Sequence, residues 1–484
     1  MKTVSEQPDS ELLTAGRRSR TAVITAVLCL TGTVVSLLQT MVVPLIPEFP
    51  AIFGVSQDDG SWLITITLLT GAVGTPIISR LADMFGKRRM LLISLTTMIV
   101  GSLVAVLGGN FTAALIGRGL QGLSVALVPV GISILRDELP RAKVAAATAL
   151  MSATLGIGSA LGLPLSGFLD MHFGWQSAFW VPAAVGIVMF AAVVLIVPES
   201  PVRTPSRFDY FGALLLSGAL SVLLTGITKG GAWGWTSGPT LLLFLASALL
   251  FAVWIPYELR VDCPLVDLRT SARRPVLLTN IASAFVGFAM YANMLLTTQQ
   301  LQMPLIAGHG FGMTVFAAGV AMVPSGLAMV LFSPLSAAIT TRFGPRVTLI
   351  TGALVMAGAY VARVLLTGSV GWIIAGAALV SIGTAITYAS MPMLIMRSVP
   401  VTETAAANGL NSLLRSVGTS TSSAFVAAVL TTMTIGHGPV AQLPSLGAFE
   451  AVYWTAALVS VLAAGVALCI PRKAARAEPG AVDP

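Results

Sequence analysis

Fourteen apolar runs, each long enough to cross a lipid bilayer, leave this chain almost no polar material from which to build anything else. They lie at roughly 22–46, 61–80, 90–108, 112–136, 144–169, 176–197, 209–228, 239–257, 275–299, 314–338, 346–366, 371–396, 405–433 and 450–470. About 20 apolar residues wound as a helix cover the roughly 30 Å of hydrocarbon. Backbone N–H and C=O groups find no water in lipid, so such runs are helices or the strands of a closed barrel. Their apolar character is continuous, without inside–outside alternation, which excludes the barrel. The expected fold is therefore all-α and integral to the membrane, with 14 transmembrane helices.

Composition agrees. Of 484 residues 56% are hydrophobic and 10% charged, against roughly 25% charged in soluble domains. The missing charge is not replaced by low-complexity polar sequence, so disorder is not expected. Cys29, Cys263 and Cys469 have neither disulfide nor metal spacing and read as plain thiols. A polar segment ending in Arg17, Arg18 and Arg20 precedes the first run, which passes Ile46 without an A-x-A cleavage site. It reads as a first span, not a removable signal.

The net charge of +8 invites a nucleic-acid reading, but its distribution fits membrane orientation better. An even number of spans returns the chain to its starting side. The even-to-odd connections and both termini, with the span ends that border them, hold 23 of the 27 Lys and Arg. The opposite loops hold Lys229, while Arg118, Arg363 and Arg415 fall inside spans. Positive charge marks the cytoplasmic side, so both termini are expected there. His172, His309 and His437 fall in or beside the outer loops.

The chain also repeats itself. Ser79–Arg89 lies over Ala337–Val347, sharing Phe85/Phe343, Gly86/Gly344 and Arg88/Arg346. Ala145–Ala147, Leu150, Ser152 and Gly158 lie over Ala405–Ala407, Leu410, Ser412 and Gly418. Two related six-helix halves follow, with helices 7 and 8 inserted between them. The expected division is a tail at 1–21, a bundle at 22–207, inserted helices at 208–258, a second bundle at 259–470 (including a cytoplasmic loop at 259–274) and a tail at 471–484. Repeats of this kind place a substrate near the midplane between halves that rock.

Several segments carry chemistry. After helix 2 comes Ser79-Arg-Leu-Ala-Asp83-Met-Phe-Gly86-Lys87-Arg88-Arg89. Gly86 permits a tight turn, and the Asp83 carboxylate can meet a cation or a helix N-terminus. A contact made in one access state biases that state; plain orientation by positive charge is the competing reading. Arg118 sits within a span beside Gln121, and an intramembrane arginine faces the protein interior; a structural arginine paired to carbonyls is the competing reading. Helix 5 carries Gly156-Ile-Gly158-Ser-Ala-Leu-Gly162-Leu-Pro164-Leu-Ser-Gly167. Small residues four apart let helices approach closely, and Pro164 bends the helix.

These segments resemble signatures of the major facilitator superfamily. The 79–89 loop is similar to the family's signature between helices 2 and 3, which gates the cytoplasmic side, with Ser79 at its leading Gly and Met84 at its basic position. The Arg118–Gln121 segment resembles the second signature of drug/proton antiporters, where that Arg takes part in proton coupling. The helix 5 segment resembles the exporters' antiporter signature, with Leu163 and Phe168 replacing two of its glycines. Gly174-Trp175-Gln-Ser-Ala-Phe179-Trp-Val-Pro182 and Gly231-Ala-Trp233-Gly-Trp235 resemble the fourteen-helix branch. The resemblance covers about 20–470 and implies a major facilitator fold and proton-coupled drug export by alternating access.

One departure bears on the cargo. That branch usually carries an Asp about nine residues before a Pro in helix 1; counted back from Pro47, Leu38 stands there. None of the 19 acidic residues lies mid-span. A cavity holding Arg118 and Arg415 without a matching acid suits a neutral or anionic amphiphile better than a permanent cation. The remaining acids considered for proton carriage are Glu48, Asp59 and Asp170, with His172 near the last. Cavity candidates are Gln39, Thr40, Gln121, Tyr291, Asn293, Tyr388, Asn408, Asn411 and Arg415, each equally readable as an interhelical hydrogen bond. Arg363, nearer a span end, is expected to snorkel.

No nucleophile elbow, metal-spaced set or phosphate loop occurs, so neither enzyme chemistry, a metal, a cofactor nor ATP is expected. The expected partners are a small-molecule substrate, protons and the lipid bilayer, with no nucleic acid, for a monomer in a bacterial inner membrane. Uptake or facilitated diffusion of a metabolite on the same fold remains the alternative.

Overall fold

The computed structural model describes residues 7–45, 48–204, 206–366, 368–435 and 443–471. Pro47 and His437 lie outside the described residues. Fourteen helices are long and apolar enough to cross a membrane. In the first half they are α1 (Gln7–Met41), α2 (Gln57–Phe85), α3 (Lys87–Gly108), α4 (Phe111–Glu138), α5 (Arg141–Phe173) and α6 (Ser177–Ile196). The inserted pair is α7 (Tyr210–Trp233) and α8 (Gly238–Glu258). The second half is α9 (Arg274–Gln302), α10 (Val315–Phe343), α11 (Pro345–Leu365), α12 (Val370–Met396), α13 (Thr404–Thr432) and α14 (Leu446–Leu468).

Local chemistry sets the boundaries. Asn110, Asp209, Thr314, Ser369 and Ser445 cap helix starts by accepting a backbone N–H three residues on, which satisfies donors that the helix leaves free. Two spans are not uniform. In α4 the turn Leu123–Ala126 tightens to a 3₁₀ helix just before Pro129, which has no N–H to offer the preceding carbonyls. In α10 the helix restarts at Ser333 with a proline in its first turn.

The internal repeat has a structural reason. Gly86 and Gly344 both take positive φ (117° and 86°) at the turn between consecutive helices, a conformation that disfavours any Cβ. Arg88 then donates to the Val194 carbonyl at the end of α6. Its counterpart Arg346 donates from Nε to the Ala467 carbonyl at 3.2 Å, at the end of α14. The same arginine ties the third helix of each half to the sixth. These ends, together with the start of the first span, lie on one face, called here the terminal face.

The halves meet along two seams. In one, α2 packs against α13; in the other, α5 packs against α10. These are the same pairing, second helix with fifth, with the halves exchanged. The inserted α7 lies in the groove between α2 and α13, where Leu216, Leu220 and Leu224 join Ala72 and Leu413 in one apolar cluster. The helix α8 packs on α7, and Leu241, Leu242, Leu245 and Leu249 stay exposed, as a lipid-facing surface requires.

Two expectations are corrected. Lys229 is not a loop residue: it lies within α7, is 2% exposed, and stands 4.9 Å from the Trp62 ring centroid. Arg363 does not snorkel: it is 3% exposed, donates to Asn293 Oδ1 and to the Tyr453 hydroxyl, and covers the Tyr453 ring at 4.5 Å. Its position near the end of α11 suggested reach to the interface, but α9 and α14 supply acceptors that hold it inside.

Candidate functional site

A cavity of about 210 Å³ opens between the halves, walled by α1, α2, α4, α5, α9, α10, α12 and α13. Drug-sized ligands usually occupy roughly 300–1,000 Å³, so a large cargo needs these walls to move apart. Of the expected residues, Gln39, Thr40, Tyr291, Asn293, Tyr388 and Arg415 line it, and Arg118 joins them.

The two arginines are held differently. Arg118, on α4, is 1% exposed. Its Nε donates to the Leu63 carbonyl at 3.0 Å and its Nη1 to Gln121 Oε1 at 2.9 Å. Gln121 in turn donates to Ser102 Oγ at 2.8 Å. Gln121 therefore positions the guanidinium and does not itself line the cavity. Arg415, on α13, lies over the Tyr388 ring at 4.7 Å and donates to Ser412 Oγ at 2.8 Å. A cation on an aromatic face is attracted by the ring quadrupole. No carboxylate is among the lining residues, so neither charge is neutralised by the wall.

The apolar part of the wall combines aliphatic residues such as Ile64, Leu68 and Leu155 with four flexible sulfur side chains, Met290, Met294, Met322 and Met329. Unbranched and polarisable, methionine adapts to irregular partners. Sequence reading missed these residues, together with Ser412, Ser416 and Thr419. The last three share a helix face with Arg415 at steps of three and four, and that spacing was the available signal.

Other expected positions lie elsewhere. Asn408 and Asn411 are corrected out of the cavity. Asn408 Nδ2 donates to the Thr404 carbonyl one turn back, and Asn411 Nδ2 donates to Asn280 Oδ1 on α9 at 2.9 Å. Asn408 lies one turn nearer the terminal face than Ser412 on the same stripe of α13, below the cavity, and Asn411 is turned toward α9. Glu48 and Asp170 lie near the face opposite the termini, outside the lining. Burial, and then the neighbouring Asp170 charge, raise the Glu48 carboxyl above its ordinary range.

On the terminal face the halves are latched. Asp83, 1% exposed at the end of α2, accepts from Ala405 N at 3.2 Å and Ala406 N at 2.8 Å, the first turn of α13. A carboxylate there meets free N–H groups and the positive end of the helix dipole together. Lys87, also fully buried, stands 3.9 Å from Asp83 and 2.5 Å from Asp137. Glu199 accepts from Arg88 N at 3.1 Å and Arg89 N at 3.2 Å at the start of α3. Asp137 and Glu199 were not foreseen, since only the fold brings the ends of α4 and α6 to this loop. Arg136 and Thr204 add bonds to Thr404 Oγ1 and to the Thr402 carbonyl across the same division. Where the family signature has Gly, Ser79 fits because Gly409 faces it: a Cβ on Gly409 would stand 2.5 Å from Ser79 Oγ.

Along α5 the glycines serve two seams. A Cβ on Gly158 or Gly162 would strike Ser36 or Thr40 of α1, the latter at 1.9 Å from Oγ1. Pro164 and Gly167 face α10: a Cβ on Gly319 would stand 2.9 Å from Pro164 N, and one on Gly167 would stand 3.5 Å from Phe316 Cβ.

Comparison with known proteins adds the following. The family model of the Major Facilitator Superfamily matches residues 28–423 and 276–482. A relative named multidrug resistance protein Stp, from Mycobacterium tuberculosis, is 28% identical over 416 residues, 85% of this chain and 76% of its own. The tetracenomycin C resistance and export protein of Streptomyces glaucescens is 31% identical over 304 residues, 62% of this chain and 55% of its own. Among solved structures, the human organic anion transporter MFSD10 (TETRAN) superposes with a TM-score of 0.66 at 16% identity, covering 92% of this chain and 99% of that one. At that identity the likeness speaks to fold.

Proposed function

The chain belongs to the major facilitator superfamily, and on that premise we propose that this transporter expels neutral or anionic amphiphiles of the natural-product antibiotic kind. The observation that carries the cargo class is the cavity: Arg118 and Arg415 face it and no carboxylate among the described residues lines it. Desolvating a permanent cation beside two uncompensated positive charges is costly, while an acidic or phenolic group gains a partner. Methionine and tyrosine supply the adaptable apolar surface for the rest of the molecule. Export, as opposed to uptake, is supported by the names of the relatives, which include resistance and export proteins.

The bundles at 22–207 and 259–470 are the rocking bodies, with 208–258 inserted between them. The terminal face is the cytoplasmic one, on the weight of its Lys and Arg. With Asp83 latched to α13 that face is shut, and breaking the latch admits cargo from within. A proton gradient is the energy source, for which Arg118 with Gln121, and Glu48 with Asp170 at the opposite face, are the groups to test.

Purified protein in liposomes with an imposed pH gradient decides the cargo. Acidic and neutral amphiphiles should be pumped and ethidium ignored; the reverse result overturns the proposal. The variant R415A should lower preference for an acidic over a matched neutral cargo about tenfold, worth about 1.4 kcal/mol. Unchanged pH-gradient-driven transport in E48Q and D170N would remove those two acids from the coupling path.

A further inference from the structure

The inserted helices carry a pair of buried carboxyl groups that transport as described above does not use. Asp209 caps the start of α7 and Glu258 ends α8; they are 8% and 2% exposed. Each has one satisfied oxygen. Asp209 Oδ1 accepts from Gly212 N at 2.8 Å and from the Tyr257 hydroxyl at 3.0 Å. Glu258 Oε1 accepts from Val266 N at 2.6 Å. Each also has one oxygen, Oδ2 and Oε2, that is buried and without a hydrogen-bond partner. Both orphans point to one spot: a Cβ added to Gly212 would stand 2.1 Å from Asp209 Oδ2 and 2.7 Å from Glu258 Oε2.

No ion pair among the described residues reaches either group. Tyr257, beside Glu258 on α8, faces Asp209 as a donor. On the neighbouring elements, Arg80 of α2, Asp267 of the 259–267 connection and Glu403 before α13 line a separate shallow pocket next to Val266 and Leu265. Two adjacent buried carboxyl oxygens, each without a donor, leave a hydrogen-bonding gap that no cation among the described residues fills. One added proton changes the hydrogen bonding completely, because the protonated oxygen donates to the orphan opposite and both are satisfied.

We propose that Asp209 and Glu258 together form a proton-binding site, holding one proton from solvent between Asp209 Oδ2 and Glu258 Oε2. The bound proton fastens the base of the insert. Val266, held by Glu258, and its neighbour Leu265 belong to the same apolar cluster as α7, α2 and α13. Loss of the proton sets two negative charges against each other and loosens the 259–267 connection from the groove between those helices. This site is independent of what the cavity carries.

Infrared difference spectra of the full chain in phospholipid nanodiscs test it across a pH titration. The wild type should show a deuterium-sensitive carboxylic C=O stretch at neutral pH that is lost in both E258Q and D209N and kept in D83N. Absence of the band in wild type, or its survival in both variants, overturns the proposal. Folding is checked by thermal unfolding. A proton bound in the folded state alone stabilises at low pH, and that stability disappears as pH rises through the value at which the pair releases it. The wild-type midpoint should therefore fall with rising pH. That of E258Q, whose amide donates to Asp209 in the proton's place, should stay level. Parallel profiles for the two, or a wild-type midpoint raised by sodium ions and not by acid, would show that no shared proton is there.

Discussion

The two seams between the halves are related by the internal repeat, yet they are built from different chemistry. Where α2 meets α13, a buried carboxylate grips the first turn of the facing helix, and α7 fills the groove beside it. Where α5 meets α10, the position equivalent to Asp83 is Thr341, whose hydroxyl turns back to the Ala338 carbonyl at 3.0 Å. There the backbones themselves touch. A Cβ on Gly326 would stand 2.2 Å from Ala160 Cβ and 2.7 Å from the Gly156 carbonyl. One seam carries a polar contact and the other a close backbone approach, which under the proposed alternating access would serve as catch and pivot.

The sharpest way to break this contrast is at the catch. D83A strands two backbone N–H groups and half of the company of a buried lysine. It should cost about 3 kcal/mol and abolish net transport, with cysteine labelling of the cavity from the terminal face increased. Unchanged labelling would mean that the carboxylate is not a catch. On the pivot, G326V forces a branched side chain into backbone contact. It should cost about 2 kcal/mol, read as a lower unfolding midpoint, and slow transport without altering cargo preference. The smallest effect belongs to T341A, which should lie within about 0.5 kcal/mol of wild type. A large effect there would show that the second seam carries a catch as well.

Much of this architecture was legible in the sequence because the bilayer imposes length and polarity so strictly. Fourteen spans followed from hydrophobic runs, and the repeat from Gly86/Gly344 and Arg88/Arg346, residues that have the same geometric work in each half. The cavity was half legible. Gln39, Tyr291, Tyr388 and Arg415 stood out as polar or aromatic residues in apolar helices. Asn408 and Asn411 stood out equally; Asn408 is separated from Ser412 and Arg415 by one turn of depth and Asn411 by its rotation toward α9. Arg363 misled because distance from a span end says nothing about which neighbours wait with acceptors. Asp137 was not legible as the partner of Lys87 because only the fold brings the end of α4 against the loop after α2.

The bare positive lining of the cavity has an electrical corollary. Bacterial membranes are negative inside, so voltage alone pushes a monoanion outward, by about 2.3 kcal/mol for each 100 mV. A carrier of anions thus needs little help from an ion flowing the other way, whereas a carrier of cations must overcome the same sum. For an anionic cargo of the kind proposed, the resting potential would add its push to that of the proton gradient.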